Sequence, residues 1–264
     1  KKGSLINLMM IHKEIYYKEA MQEAYNILND PDKYQLTANP KHDQLLNTTP
    51  KHMAQFEERA KEYIQTSQPL TGTLAETYLN KLGIEHPKND HVHFHQAVYS
   101  SEDKTFHPAM ITNIHDKKGE TKAIEVTYLD GQGNKDPALD INPRILGTKS
   151  KQITQFHQGR DLHTTIISTS IENAFIINQA HQGQYDIINV NHKNDIQNIS
   201  TDELRQNIVI VLSQGNTDLN PNNIEKIMAN FSGRNIQFVS PDNMLEEIKQ
   251  GIEQYHQQTH QQKE

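Results

Sequence analysis

The chain reads as an α/β protein, and three stretches predict it. From Leu5 to Leu28 apolar residues recur at helical spacing; between His91 and Leu129 three runs alternate as strands separated by turn residues; and from Thr164 onward short apolar runs alternate with helix-like segments. Alternation of the last kind is the sequence form of parallel β-α-β units, whereas runs joined by short turns form antiparallel meanders. The architecture predicted is N-terminal helices, a small antiparallel α+β subdomain, and a mainly parallel sheet flanked by helices. Its predicted boundaries are 1–66 for the helical segment, 67–160 for the α+β subdomain, 161–258 for the α/β part and 259–264 for a polar tail.

Taken in order, the first helix carries Ile6, Met9, Met10, Ile15, Tyr16, Met21, Tyr25, Ile27 and Leu28, and the breaker Asn29-Asp30-Pro31-Asp32 ends it. The polar stretch from Pro31 to Pro50 is a connector. A second helix runs from His52 to Thr66, and the apolar stripes of both helices are read first as packing surfaces. Thr73-Leu74-Ala75-Glu76 has the spacing of a capping box, in which Thr73 accepts from the third helical amide and Glu76 reaches back to the cap amide. The helix it starts ends at Leu82, where Gly83 supplies a left-handed stop.

The strands of the meander are His91 to Phe94, Ala109 to Ile114 and Ala123 to Leu129, with turns at Asp116-Lys117-Lys118-Gly119 and Asp130-Gly131. Thr165 to Ser168, Tyr185 to Val190, Ile208 to Leu212 and Asn235 to Val239 are the parallel strands. Helices are expected at Ile171 to Ala180, Thr201 to Gln206 and Asn222 to Phe231, and a last amphipathic helix from Asp242 to His256.

Composition narrows the function classes. Hydrophobic residues make up 34% of 264 residues and mean hydropathy is -0.80, so a compact centre with polar connections is expected. There is no Cys, which rules out disulfides and thiolate metal sites. The run LINLMMI is too short for a signal or membrane-spanning segment, and no membrane partner is expected. A net charge of -7 argues against strong nonspecific binding to phosphates and leaves room for a local basic patch. The chain begins at Lys1 without Met and ends in QQTHQQKE, and is read as a fragment of a longer polypeptide.

The segment SQPLTGTLAETYLNKLGIE (Ser67 to Glu85), followed in order by VHFHQAVYSSED, HPAMITNIHDKKGE, EVTYLDGQGNK and ILGTKS, resembles the primase-like region found downstream of the relaxase and helicase parts of some conjugative transfer proteins of the TraI/TraA kind. IISTSIENAF falls where this family has the first strand and helix of a topoisomerase-primase (toprim) domain, and NIVIVLSQGN where it has the second acidic motif. The resemblance covers about Ser67 to Val239. It implies a toprim-like parallel sheet in the second half of the chain.

In active toprim domains, a Glu after the first strand and a later acidic pair hold Mg²⁺, a hard cation that takes charged oxygen ligands. The resemblance places the Glu at Thr169, its following Gly at Ser170, and the later acids near Ser213 and Gly215, none of which is acidic. Glu172 matches a second family Glu, and Asp218 lies beyond the later motif. No cofactor is expected, with Mg²⁺ only if carboxylates such as Glu172 and Asp218 have rearranged. Glu172 also has a purely structural reading, as an acidic residue favoured at a helix N-terminus. Where the family often has Arg before its Tyr-Leu-Asp element, Glu125, Val126 and Thr127 stand.

The resemblance implies a degenerate, non-catalytic toprim-like domain with an accessory nucleic-acid-binding or organising role. Candidate partners are single-stranded DNA, other parts of a larger transfer protein, and secretion-machinery or host proteins. The rival is a protein-interaction module of a type IV secreted effector or a secretion-recognition domain; the third is weak Mg²⁺-dependent nucleotidyl-transfer or nuclease activity with rearranged carboxylates. The expected location is the bacterial cytoplasm, with passage through a secretion system as the alternative. Arg144, Lys149, Lys151 and Arg160 are the candidate nucleic-acid contacts, or else ordinary solvated loop charges.

Other constellations carry less. His91, His93 and His95 alternate along a strand and so share one face, a geometry compatible with a metal if His107 or Asp103 joined them. The tail residues His256 and His260 are read as exposed. Gly131-Gln132-Gly133 does not lead from a parallel strand into a helix, so it is a hairpin turn and not a dinucleotide loop. Ser168, Thr169, Ser170 and His163 lack the strained elbow of a serine hydrolase.

Overall fold

The computed structural model describes residues 55–116, 118–147, 153–190, 193–212, 221–239, 247, 248 and 250. All belong to one compact unit, Gln55–Glu264. The helix expected at Leu5 to Leu28, the Pro31 to Pro50 connector, Lys149, Lys151, Ser213, Gly215, Asp218, and the tail with His256 and His260 lie outside the described residues, as does most of the helix expected from Asp242.

The fold is α/β with two sheets. Helix α1 (55–65) and α2 (Leu74–Lys81) precede an antiparallel sheet of β1 (Val92–Ser100), β2 (Thr105–His115), β3 (Thr121–Tyr128) and β4 (Arg144–Gly147), hydrogen-bonded in that order. The second sheet has the order β5-β7-β6-β8-β9, formed by β5 (Thr154–His157), β6 (Thr164–Ser168), β7 (Asp186–Asn189), β8 (Asn207–Val211) and β9 (Asn235–Val239). Strands β7, β6, β8 and β9 are parallel, and β5 closes the edge antiparallel to β7. Helices α3 (Ile171–Ala180) and α4 (Pro221–Asn230) are crossover elements.

The expected strand runs all form, for the reasons that made them legible. Every residue of β6 and β8 is buried, because central parallel strands are covered on both faces and so read as continuous apolar runs. The prediction misses β4 and β5, which lie in what reads as a connection. RILG has no alternation, and TQFH buries only Thr154 and Phe156, so neither carries a period of its own. Where a helix is expected at Thr201 to Gln206, the chain makes one 3₁₀ turn, Thr201–Glu203.

Local signals at α2 are realised with one change. Thr73 Oγ1 accepts from the amides of Ala75 (3.2 Å) and Glu76 (3.4 Å), as a cap does. The Glu76 carboxylate takes the amide of Gly72 at 2.7 Å rather than that of Thr73, whose amide donates to Leu70 O. At the other end Gly83, with φ +80°, donates to Asn80 O, and Ile84 donates to Leu79 O. That pair of bonds is a Schellman stop, and the buried side chains of Ile84 and Leu79 close it.

One core runs through both sheets. Leu79, Ile84, Phe94 and Met110 pack in the same cluster as Phe156, Ile166, Phe175 and Ile187, with the rings of Phe156 and Phe175 edge to face at 4.8 Å. A second cluster fills the other face of the parallel sheet, where Ile227 and Phe231 cover Ile167, Ile188, Ile208 and Ile210. Ala60, Tyr63 and Ile64 of α1 cover the outer face of the first sheet over Ile111, Ile124 and Val126, which is the packing role its stripe predicts. Each such buried Ile or Phe contributes about 1.5–3 kcal/mol.

Candidate functional site

Ligands of open α/β sheets bind beyond the carboxyl ends of the strands, where the strand order reverses. In the order β5-β7-β6-β8-β9 that point is the end of β6, because α3 leads to β7 on one side while β8 lies on the other. The residues there are Ser168, Thr169 and Ser170.

Hydroxyls organise this turn. Ser168 Oγ donates to Ser170 O at 2.7 Å and accepts from Ser170 N at 3.2 Å. Thr169, 7% exposed, donates its amide to Val211 O at 3.2 Å and its Oγ1 to the same oxygen at 3.4 Å. Ser170 caps α3 by accepting from Asn173 N, and its Oγ donates to Glu172 Oε2 at 2.5 Å.

Glu172 is the centre of the site. Its Oε1 accepts from Tyr78 Oη at 2.7 Å and from Lys135 Nζ at 2.9 Å. Burial would raise its pKa, but the Lys135 charge together with donation from Ser170, Tyr78 and Lys135 outweighs burial and holds it below the ordinary carboxylate range. Tyr78 is displaced far upward, first by burial and then by the charge and hydrogen bond of Glu172, so it stays a donor. Lys135 Nζ also lies 5.8 Å from the Tyr78 ring centroid, a cation-π distance. Carboxylate and phenol thus meet the Lys135 Nζ in one network.

This arrangement joins parts of the chain that the sequence keeps far apart. Tyr78 comes from α2, Lys135 from the turn after β3, where Leu129 and Lys135 bridge, and Glu172 from the first turn of α3. Sequence reasoning finds Glu172 and quotes Lys135 within EVTYLDGQGNK, but assigns no role to Lys135 or Tyr78. Tyr78 sits in the apolar stripe of its helix and has no other local signal.

The other candidates fall elsewhere. Arg144 lies in β4 in register with Val126, and Arg160 is an exposed residue of the β5–β6 loop, at the end of β6 opposite Thr169. One of these two basic candidates is thus on the first sheet and the other in a loop of the second. Glu125, where the family often has Arg nearby, is buried in β3, and its charge also raises Tyr78.

His91, His93 and His95 do share a face by register, yet each ring has its own partner. His91 packs on His115 at 5.0 Å, His93 Nε2 lies 3.0 Å from Asp90 O, and His95 contacts Thr66 Oγ1 at 3.1 Å and accepts from Ala97 N. Burial lowers the pKa of both His91 and His95. His107 bridges Asp103 at 2.7 Å and Asp136 at 3.0 Å. Among the described residues no three His, Cys, Asp or Glu side chains converge as metal ligands.

Gly131-Gln132-Gly133 forms the expected turn, with Asp130 accepting from the amides of Gln132 and Asn134. His163 is exposed at the start of β6, on the order of 15 Å of strand from Ser168, so it cannot serve that hydroxyl as a base. No described helix is long and apolar enough to cross a membrane.

Comparison with known proteins adds the following. No curated protein matches the chain. Among solved structures it is similar to the primase fragment of the bacteriophage T7 primase-helicase protein, at 9% identity and a TM-score of 0.38, over 55% of this chain and 59% of that one. It is also similar to the Aquifex aeolicus primase (zinc-binding and RNA polymerase domains), at 11% identity and a TM-score of 0.43, over 90% of this chain and 64% of that one. The chain thus spans less than two thirds of either protein's length. Residues 54–156, from α1 through β5, match a family described as a domain of unknown function (DUF7146).

Proposed function

We propose that this chain is a toprim-like, primase-like module of a conjugative DNA-transfer protein that has given up metal-dependent chemistry and serves to bind single-stranded nucleic acid or to organise the larger protein. The order of its motifs and the strand-turn-helix at Ile166 to Phe175 support the kinship. The observation that carries the loss of chemistry is the Glu172 network. Mg²⁺ needs several charged oxygens, and here the carboxylate at the site is neutralised by Lys135 and capped by two hydroxyls, while Thr169 and Ser170 offer no charge.

The test is fluorescence anisotropy of a labelled single-stranded oligonucleotide over a salt series, with and without Mg²⁺. Binding that weakens with salt, ignores Mg²⁺ and falls on neutralising Arg144, Lys149 and Lys151 is the expected result. Mg²⁺-dependent turnover of nucleotides, abolished by Glu172→Gln, would overturn the non-catalytic reading and favour rearranged carboxylates such as Glu172 and Asp218.

A second reading, a protein-interaction module, is favoured by one surface feature. Phe106 is 65% exposed and packs edge to face on the exposed Tyr99 at 5.3 Å. Capture of a partner that is lost in Phe106→Ser, with no affinity for DNA, selects this reading.

A further inference from the structure

The antiparallel sheet and β5 meet along one edge of β2. Amides two residues apart on a strand point to the same side. Here the amide of Asn113 donates to His91 O at 2.7 Å, and that of His115 donates to Ile153 O at 3.3 Å. The edge of β2 thus passes from the start of β1 to the start of β5 at a seam between His91 and Ile153. Two further bonds tie β5 there: Thr154 Oγ1 donates to Asn113 O at 2.8 Å, and Asn89 Nδ2 donates to Phe156 O at 2.7 Å. Asn89 is fixed in turn by its Oδ1, which accepts from His91 N at 2.8 Å.

A pair of histidines occupies the seam. The rings of His91 and His115 lie 5.0 Å apart between centroids, tilted by 43°, and both residues are half-buried. Burial strips an imidazolium of hydration, and a second ring beside it repels the charge further. Burial first and His115 second hold His91 below the ordinary imidazole range; Asp90 opposes them and His93 adds to them. On the far side, His115 Nδ1 lies 3.1 Å from the backbone oxygen of Asp116. The Asp116 carboxylate accepts from the amides of Lys118 and Glu120 and faces Lys122 at 3.6 Å. From β5 and the residue before it come Thr154 and Ile153, which carry no charge.

We propose that this seam is an acid-operated hinge: with His91 neutral, β5 is closed on β2, and protonation of His91 loosens the contacts of Ile153 and Thr154 while both sheets stay folded. The sign follows from linkage. A base whose folded pKa is depressed binds more protons once its surroundings open. The closed seam therefore keeps its full stability above the open-state value of about 6.5 and loses it as pH falls through that value. The seam is where this load falls, because the backbone bond across it is long, 3.3 Å. Elsewhere the two sheets share the apolar Phe94, Met110, Phe156 and Phe175, which proton binding does not touch, and β5 stays paired to β7. The hinge acts whatever the module binds and does not rest on the nucleic-acid reading.

The experiment is NMR of the full chain from about pH 8 to about pH 5, in wild type, His91→Gln and His115→Gln. It follows the His91 ring and, by hydrogen exchange corrected for intrinsic rate, the amides of His115 and Val190. The Val190 amide, which donates to Ser168 O in the second sheet, reports general acid unfolding. The His91 ring is expected to titrate below the ordinary imidazole range and to move up in His115→Gln. Protection of the His115 amide is expected to fall at least threefold, roughly, between about pH 7.5 and about pH 5.5 in wild type and to stay level in His91→Gln, with Val190 unchanged in both. A His91 ring that titrates in the ordinary range, or that is indifferent to His115→Gln, overturns the proposal. So does protection lost equally at His115 and Val190, or lost equally with and without His91. Both replacements stand at half-buried positions; should either fail to fold, the ring titration and the two amides of wild type decide alone.

Discussion

Replacing Lys135 with Met tests the Glu172 network directly, because it removes the ammonium and keeps most of the side-chain volume. The charges stand 2.9 Å apart, with Glu172 15% and Lys135 40% exposed. At an effective dielectric of about 20 the gross attraction is roughly 6 kcal/mol. Most of that is offset by the desolvation of Glu172 and by solvent screening of the half-exposed lysine. Fully exposed pairs are worth about 0–1 kcal/mol and removal of one partner from a buried pair costs about 3–5 kcal/mol. This pair lies between those limits, and the expected loss for Lys135→Met is about 2 kcal/mol. For a domain of this size that lowers Tm by about 4–8 °C.

The assay is urea denaturation and a thermal melt of wild type, Lys135→Met, Glu172→Gln and the double variant. Glu172→Gln keeps acceptors for Tyr78 and Ser170, so Lys135→Met should cost at least about 1 kcal/mol less in that background. The pH dependence has a definite sign. A carboxylate depressed in the folded state contributes stability that is fully present above the unfolded pKa of about 4.3 and is lost as pH falls through the folded value. Lys135→Met therefore moves the acid loss to higher pH, and Glu172→Gln removes that component. A melt unchanged within about 1 °C, or full additivity in the double variant, refutes the reasoning.

Three further outcomes follow from packing. Gly159→Ala forces a Cβ to within 2.3 Å of Gln184 O and should cost about 1–3 kcal/mol or more by urea denaturation. Arg205→Ala leaves the 9% exposed Asp186 without its ion pair at 2.6 Å, with the Gly159 amide still donating to it, and should cost about 3 kcal/mol by urea denaturation. Thr73→Ala removes the cap of α2 and should cost about 1 kcal/mol by the same measurement, with Thr73→Ser close to wild type.

The sequence by itself determined the elements whose rules act within a few residues. Ile171 to Ala180 is a helix over the predicted span because its cap, Ser170, and its buried Ile171, Ala174 and Phe175 are local facts. The runs at β6, β8 and β9, the hairpins of β2 and β3, and the left-handed Gly83 were legible for the same reason. Strands β4 and β5 were not, since each is held by a neighbour's edge and has almost no apolar period of its own. The site divides along this line too. That Thr169 and Ser170 carry no charge is read from the sequence, but only the tertiary structure decided that Glu172 would meet Tyr78, 94 positions away, and Lys135, and that Arg160 would stand at the far end of the sheet. Hydrogen bonding and periodicity specify a helix or strand from its own residues, whereas the pairing of two charges depends on how separate elements dock around a shared core, which no local pattern encodes.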